Sequence, residues 1–201
     1  MNGTNKIWFD TSNHHCGCGS INCPNRAALF NTWRKLWEQH VMWTRSLIIS
    51  KVDNLGDAEV VATRLLRNPT DMGNELKPFF KQSSVNIFVK LFEEHLLIAA
   101  KLVDAAVASN SQLVDQLDRD WFRNADEIAQ LMHEFFPSES KESWQMMMHE
   151  HLRLTKEEAV LRIGRKYKEN IAIYDIIETQ ALGMADMVAS GIIKEFFMQY
   201  K

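Results

Sequence analysis

Three short stretches of this 201-residue chain follow one pattern: Trp37-Glu38-Gln39-His40-Val41, Phe92-Glu93-Glu94-His95-Leu96 and Met148-His149-Glu150-His151-Leu152. Each has an apolar residue, two polar residues, a histidine and an aliphatic residue. The histidines stand 55 and 56 residues apart, with Leu36, Leu91 and Met147 four before them and Thr44, Ala99 and Thr155 four after. A repeat of that length is one supersecondary unit used three times, because a single unit cannot bury its own apolar face. The pattern constrains architecture far more than function, and it names no reaction.

From about residue 26 onward the apolar residues recur at helical spacing, with few glycines, three further prolines and no alternating Val/Ile/Thr runs. The expected class is all-α: residues 1–25 form a flexible arm rich in His and Cys, and residues 26–201 form one domain. That domain is expected to be an up-down antiparallel bundle of six helices, built from a triplicated helical hairpin. Placing residues 100° apart puts His40, His95 and His151 on the inward stripes of the first, third and fifth helices. Asn68, Asn124 and Asp186 face inward from the second, fourth and sixth. Pro69 should break the second helix at Asn68, and Pro137 should end the fourth.

Residues equidistant from a hairpin turn stand level in the paired helices. His40 and Asn68 are centred on residue 54, His95 and Asn124 near 109, and His151 and Asp186 near 168, all in expected turns. A polar layer across the bundle follows. One reading makes it three hydrogen-bonded pairs that fix helix register, the core of a non-enzymatic structural or interaction protein. A second has His40, His95 and His151, with Asp186, hold a divalent transition metal such as iron, zinc or manganese; imidazole also suits copper and nickel, and bundle cores are a common place for such sites. A third is a small-molecule pocket lined by the same residues, with Asn68, Asn124, Thr44 and Thr155 beside them.

Seven residues after the histidine the repeat reads Leu47, Leu102 and then Glu158. With Asp175 and Glu178 nearly opposite, Glu158 suggests a second, acidic layer that would need a cation or shared protons, unless it reaches solvent near the bundle end. Met146-Met147-Met148 beside Trp144 could suggest copper, although at helical spacing it reads as core. The Glu-x-x-His pairs of ferritin-like di-iron bundles are missing, as are a Walker loop, G-x-G-x-x-G after a strand, G-x-S-x-G and H-E-x-x-H. A phosphate-dependent enzyme is therefore not expected.

A net charge of −3 with scattered Lys and Arg gives no basic field for nucleic acid. The first 25 residues do not read as a secretory signal, and no stretch is expected to span a bilayer, so a cytoplasmic chain without a membrane partner is the expectation. Homo-oligomerisation stays open. All three cysteines lie in His14-His15-Cys16-Gly17-Cys18-Gly19-Ser20-Ile21-Asn22-Cys23. Cys16, Cys18 and Cys23 could take a soft metal, but the spacing is not a usual zinc one, and exposed thiols on a mobile arm are the plainer reading.

His151-Leu152-Arg153-Leu154-Thr155-Lys156-Glu157-Glu158-Ala159, Asn124-Ala125-Asp126-Glu127-Ile128-Ala129 and Met184-Ala185-Asp186 resemble a group of uncharacterised all-helical proteins of spore-forming bacteria. The resemblance covers about residues 29–198 and carries no activity with it. In architecture alone the chain is also similar to helical bundles of the hemerythrin or ferritin-like kind.

Overall fold

A computed structural model describes residues 25–198; Cys16, Cys18 and Cys23 lie outside the described residues. Seven helices and no strand are found among those residues: α1 (Arg26–Val52), α2 (Ala58–Leu66), α3 (Asn68–Leu76), α4 (Gln82–Val107), α5 (Ser111–Phe135), α6 (Lys141–Ile163) and α7 (Tyr167–Phe197). α2 and α3 meet at Arg67, where Pro69 in the first turn of α3 lacks the N–H a continuous helix would use. The Asn25, Asn110 and Ser140 side chains cap α1, α5 and α6 by accepting from Ala28, Leu113 and Ser143 N–H.

Consecutive helices pack in sequence, α4 on α5, α5 on α6 and α6 on α7, and α7 returns to α1, while α2 and α3 sit between α1 and α4. α1, α4 and α6 end in the same way. Asn54, Ser109 and Arg165 have φ of 51°, 55° and 55°, and the N–H groups of Leu55, Asn110 and Lys166 reach back to Ser50, Ala105 and Leu161 O. That left-handed residue with its long back-bond is a Schellman stop. It comes fourteen residues after each histidine of the repeat. At the opposite end the Phe-Phe pairs converge, with Phe80 stacked 4.1 Å from Phe135 and edge-to-face with Phe196 at 5.2 Å. A Cβ at Gly191 would come within 2.6 Å of the Phe136 ring, so α7 reaches this cluster only as glycine there.

The sixth arm corrects the sequence reading. Its turn is at Gly164–Lys166, earlier than residue 168, and α7 buries Asn170, Ile173, Ile177, Ala181, Met184, Ala185, Val188 and Ala189. Asp175 is exposed, Asp186 and Glu178 are half-buried, and Ile171 and Ile176 face out. Apolar residues surround most of this helix, so periodicity does not select its inner face. α7 also holds an 18-residue window of mean hydropathy 1.2, enough by length and composition to cross a membrane, where no such stretch was expected; half of that window is buried inside the structure.

Candidate functional site

His40, His95 and His151 are each 2% exposed and gather at one level of the core. The His40 and His151 ring centroids are 5.5 Å apart, and those of His95 and His151 are 6.4 Å apart. Each imidazole is held by a carboxamide from a neighbouring helix. His40 Nδ1–H donates to Asn68 Oδ1 (3.1 Å), and Asn68 Nδ2 donates to Leu36 O (2.9 Å). His95 and Asn124 repeat this at 2.9 Å, with Asn124 donating to Leu91 O at 3.1 Å. His151 pairs with Gln180 Oε1 (3.2 Å), and Gln180 donates to Met147 O (2.9 Å). The acceptors Leu36, Leu91 and Met147 are the residues four before each histidine, so the amide ties together one whole helical turn of its partner.

This arrangement settles the tautomers. Because each amide nitrogen is committed to a backbone carbonyl, the amide oxygen faces the ring, and only a protonated Nδ1 can donate to it. Nε2 then carries the lone pair, and no hydrogen bond joins it to a described residue. Burial holds the rings neutral: it pushes His40 down to about 3, helped by the nearby His151, and His151 down to about 4. His95 is pushed well below the usual value by burial and by His151 and His40. The indole N–H groups of Trp37 and Trp121, whose rings lie 5.3 Å from His40 and 5.2 Å from His95, have no partner among the described residues either.

One expected member of the layer stands elsewhere. Asp186 forms a two-pronged ion pair with Arg34 at the surface, both bonds 2.7 Å, and Gln180 takes its place beside His151. The residue separation explains why: His151 and Gln180 are 29 apart, as His95 and Asn124 are. The acidic layer does not form. Glu158 is 1% exposed, and its carboxylate meets the Arg45 guanidinium from α1. Arg45 also donates to Asn170 O and Oδ1 (3.2 and 3.0 Å), lies over the Tyr174 ring, and Asn170 donates to Glu158 O. The cation that Glu158 required is an arginine, and desolvation still pushes the carboxyl up to about 7 against the pull of Arg45. Among the described residues no group of three or more His, Cys, Asp or Glu is arranged to hold a metal ion.

Above the histidine layer, toward the turn end, lies a cavity of about 230 Å³ between α1, α2, α4, α5 and α6. Thr44, Ala99 and Thr155, the residues four after each histidine, line it together with Trp121, so its floor lies one helical turn above the layer. Leu47, Leu65, Leu96, Leu102 and Val103 make its walls, and Asp115, Asp118 and Lys156 also line it. The Thr44 and Thr155 hydroxyls donate to His40 O and His151 O at 2.8 Å. Both threonines therefore offer methyls to the cavity. No protein-family model, curated protein or solved structure matches this chain. Of the residues expected to line a small-molecule pocket, Thr44 and Thr155 line this cavity, while the histidines, Asn68 and Asn124 do not; the small residues Ala99, Ala100, Ala106 and Ala159 also face it.

Proposed function

We propose that this chain is a binding module, an up-down bundle of three related antiparallel hairpins that receives an apolar small molecule in the cavity above its histidine layer. Three amide-held histidines and three identical Schellman stops at the spacing of the sequence repeat support the triplicated hairpin. The observation that carries the binding reading is a largely apolar cavity whose floor hydroxyls and imidazole Nδ1–H groups are all engaged elsewhere. Such a site binds through hydrocarbon burial, with a few polar groups setting orientation. No imidazole or thiol is among the residues lining the cavity, and its threonine hydroxyls donate to backbone carbonyls, which favours binding over catalysis.

Calorimetric titration with 1-octanol should show saturable binding with a negative heat-capacity change. Ala99→Leu with Ala159→Leu, which fills the cavity, should weaken it by about tenfold or more, or roughly 1.4 kcal/mol. Equal binding by the filled variant, or none by the natural chain, would end this reading.

A second reading, a divalent transition metal on His40, His95 and His151, is favoured by one observation: Nδ1–H held by an amide and Nε2 left bare is how ligating imidazoles are oriented. The lack, among the described residues, of any group of three or more His, Cys, Asp or Glu arranged to hold an ion opposes it. Elemental analysis of untagged protein, as the full chain and as a chain beginning at residue 26, should find no stoichiometric ion held by the bundle. A single ion retained without residues 1–25 and lost in His151→Gln would establish the metal reading in place of ours.

A further inference from the structure

We propose that the ligand of this cavity is an amphiphile with a cationic head, a primary alkylamine in its ammonium form, whose hydrocarbon tail fills the cavity while its head sits at Asp115. The inference rests on the binding reading above and adds the head group to it. The tail follows from the depth and the lining. α4 advances seven residues from Ala99 at the floor to Ala106 toward its C-terminal end, roughly 10 Å of helix rise. Along that length the cavity presents aliphatic side chains and threonine methyls. An ammonium carried to the floor would meet the threonine oxygens and the Trp121 ring but no carboxylate, and would bear the cost of desolvation.

The head follows from the charges. Three charged side chains line the cavity: Asp115, Asp118 and Lys156. Lys156 Nζ is 2.7 Å from Asp118 Oδ1 and lies 4.7 Å from the Phe122 ring centroid, so its charge is already engaged twice. Asp115, one turn before Asp118 on α5, is exposed and has no ionic or hydrogen-bond partner among the described residues. The lining thus has a net charge of −1 and one uncommitted carboxylate. A carboxylate head would have to take Lys156 from Asp118 while facing Asp115. An ammonium head pairs with Asp115 and leaves the Lys156–Asp118 bridge intact. Val160 and Ile163, 66% and 36% exposed, extend the apolar lining to the surface, where the first carbons beside the head would lie.

The test is a calorimetric comparison of octylammonium, 1-octanol and octanoate on the full chain and on Asp115→Asn. Octylammonium should bind about two- to fivefold tighter than octanol, as suits one solvent-exposed ion pair. Octanoate should bind more weakly than either. The ammonium preference should fade in molar salt and in Asp115→Asn, which should keep its affinity for octanol. The proposal is overturned if octanoate equals or exceeds octylammonium, or if Asp115→Asn keeps the ammonium preference. Octanol binding without any cation preference removes only this inference; no binding by any of the three removes the cavity reading along with it.

Discussion

Acidification from pH 6.5 to pH 4.5 should destabilise the folded chain by about 4 kcal/mol, a large part of the roughly 5–15 kcal/mol that holds a domain together. The three buried imidazoles are neutral when folded, with His151 at about 4, His40 at about 3 and His95 well depressed, whereas the unfolded chain takes up protons near 6.5. Between these values the unfolded state binds more protons, so stability falls as pH falls, by about 1.4 kcal/mol per pH unit for each ring. The loss ends for each ring as the pH passes through its folded value. Glu158 acts in the opposite sense. Its folded value of about 7 lies above the ordinary 4.5, so the folded state takes that proton first and gains stability as pH falls through the interval. Three protons against one leaves a net uptake of two on unfolding. Urea midpoints followed by circular dichroism at several pH values measure the slope directly. His151→Gln should lower it by about one proton, and a midpoint that stays flat or rises from pH 6.5 to 4.5 would show that the rings are not held neutral.

The histidine layer was legible because two independent signals, the repeat and the hairpin register, agreed on His40, His95 and His151 and on Asn68 and Asn124. The third partner was misread for a physical reason. α7 is apolar around most of its surface, so Asp186 could be placed inward by periodicity alone, and shifting the turn to residue 168 made its register look right. The left-handed residue Arg165, 56 after Ser109, puts Gln180 level with His151 instead. Glu158 breaks the leucine series in the sequence, but its partner comes from α1, 113 residues away, and no local spacing reports such a contact. The cavity is legible in the sequence only through Thr44 and Thr155, because it consists of what the facing side chains lack. Alanines at 99, 100, 106 and 159 are ordinary helix residues one by one, and only packing shows that their small volumes face one another.

Replacing Asn124 with leucine should cost about 2–4 kcal/mol, although the two side chains are close in volume and the site is buried in apolar company. Asn124 is 3% exposed and serves two groups at once, accepting from His95 Nδ1–H and donating to Leu91 O. Leucine strands His95 Nδ1–H in a dry core, at about 1–3 kcal/mol, and takes from Leu91 O its second bond, worth about 1 kcal/mol more, although that carbonyl keeps its helical partner. Adding His95→Leu removes the stranded donor and leaves only the lost second bond to Leu91 O. The double variant should therefore be less destabilised than the two single losses added together, with a coupling of about 1 kcal/mol or more. Asn68→Leu should behave in the same way, since Asn68 is fully buried, while Gln180→Leu should cost less because Gln180 is only half-buried and water can reach what it leaves. Asp186→Asn provides the contrast. Its ion pair with Arg34 is between side chains 37% and 47% exposed, so the loss should be within about 1 kcal/mol. Chemical denaturation of the set orders them. If Asp186→Asn proves as costly as Asn124→Leu, or if the His95 and Asn124 losses simply add, then the amide-held imidazoles are not the unit that sets the register of these helices.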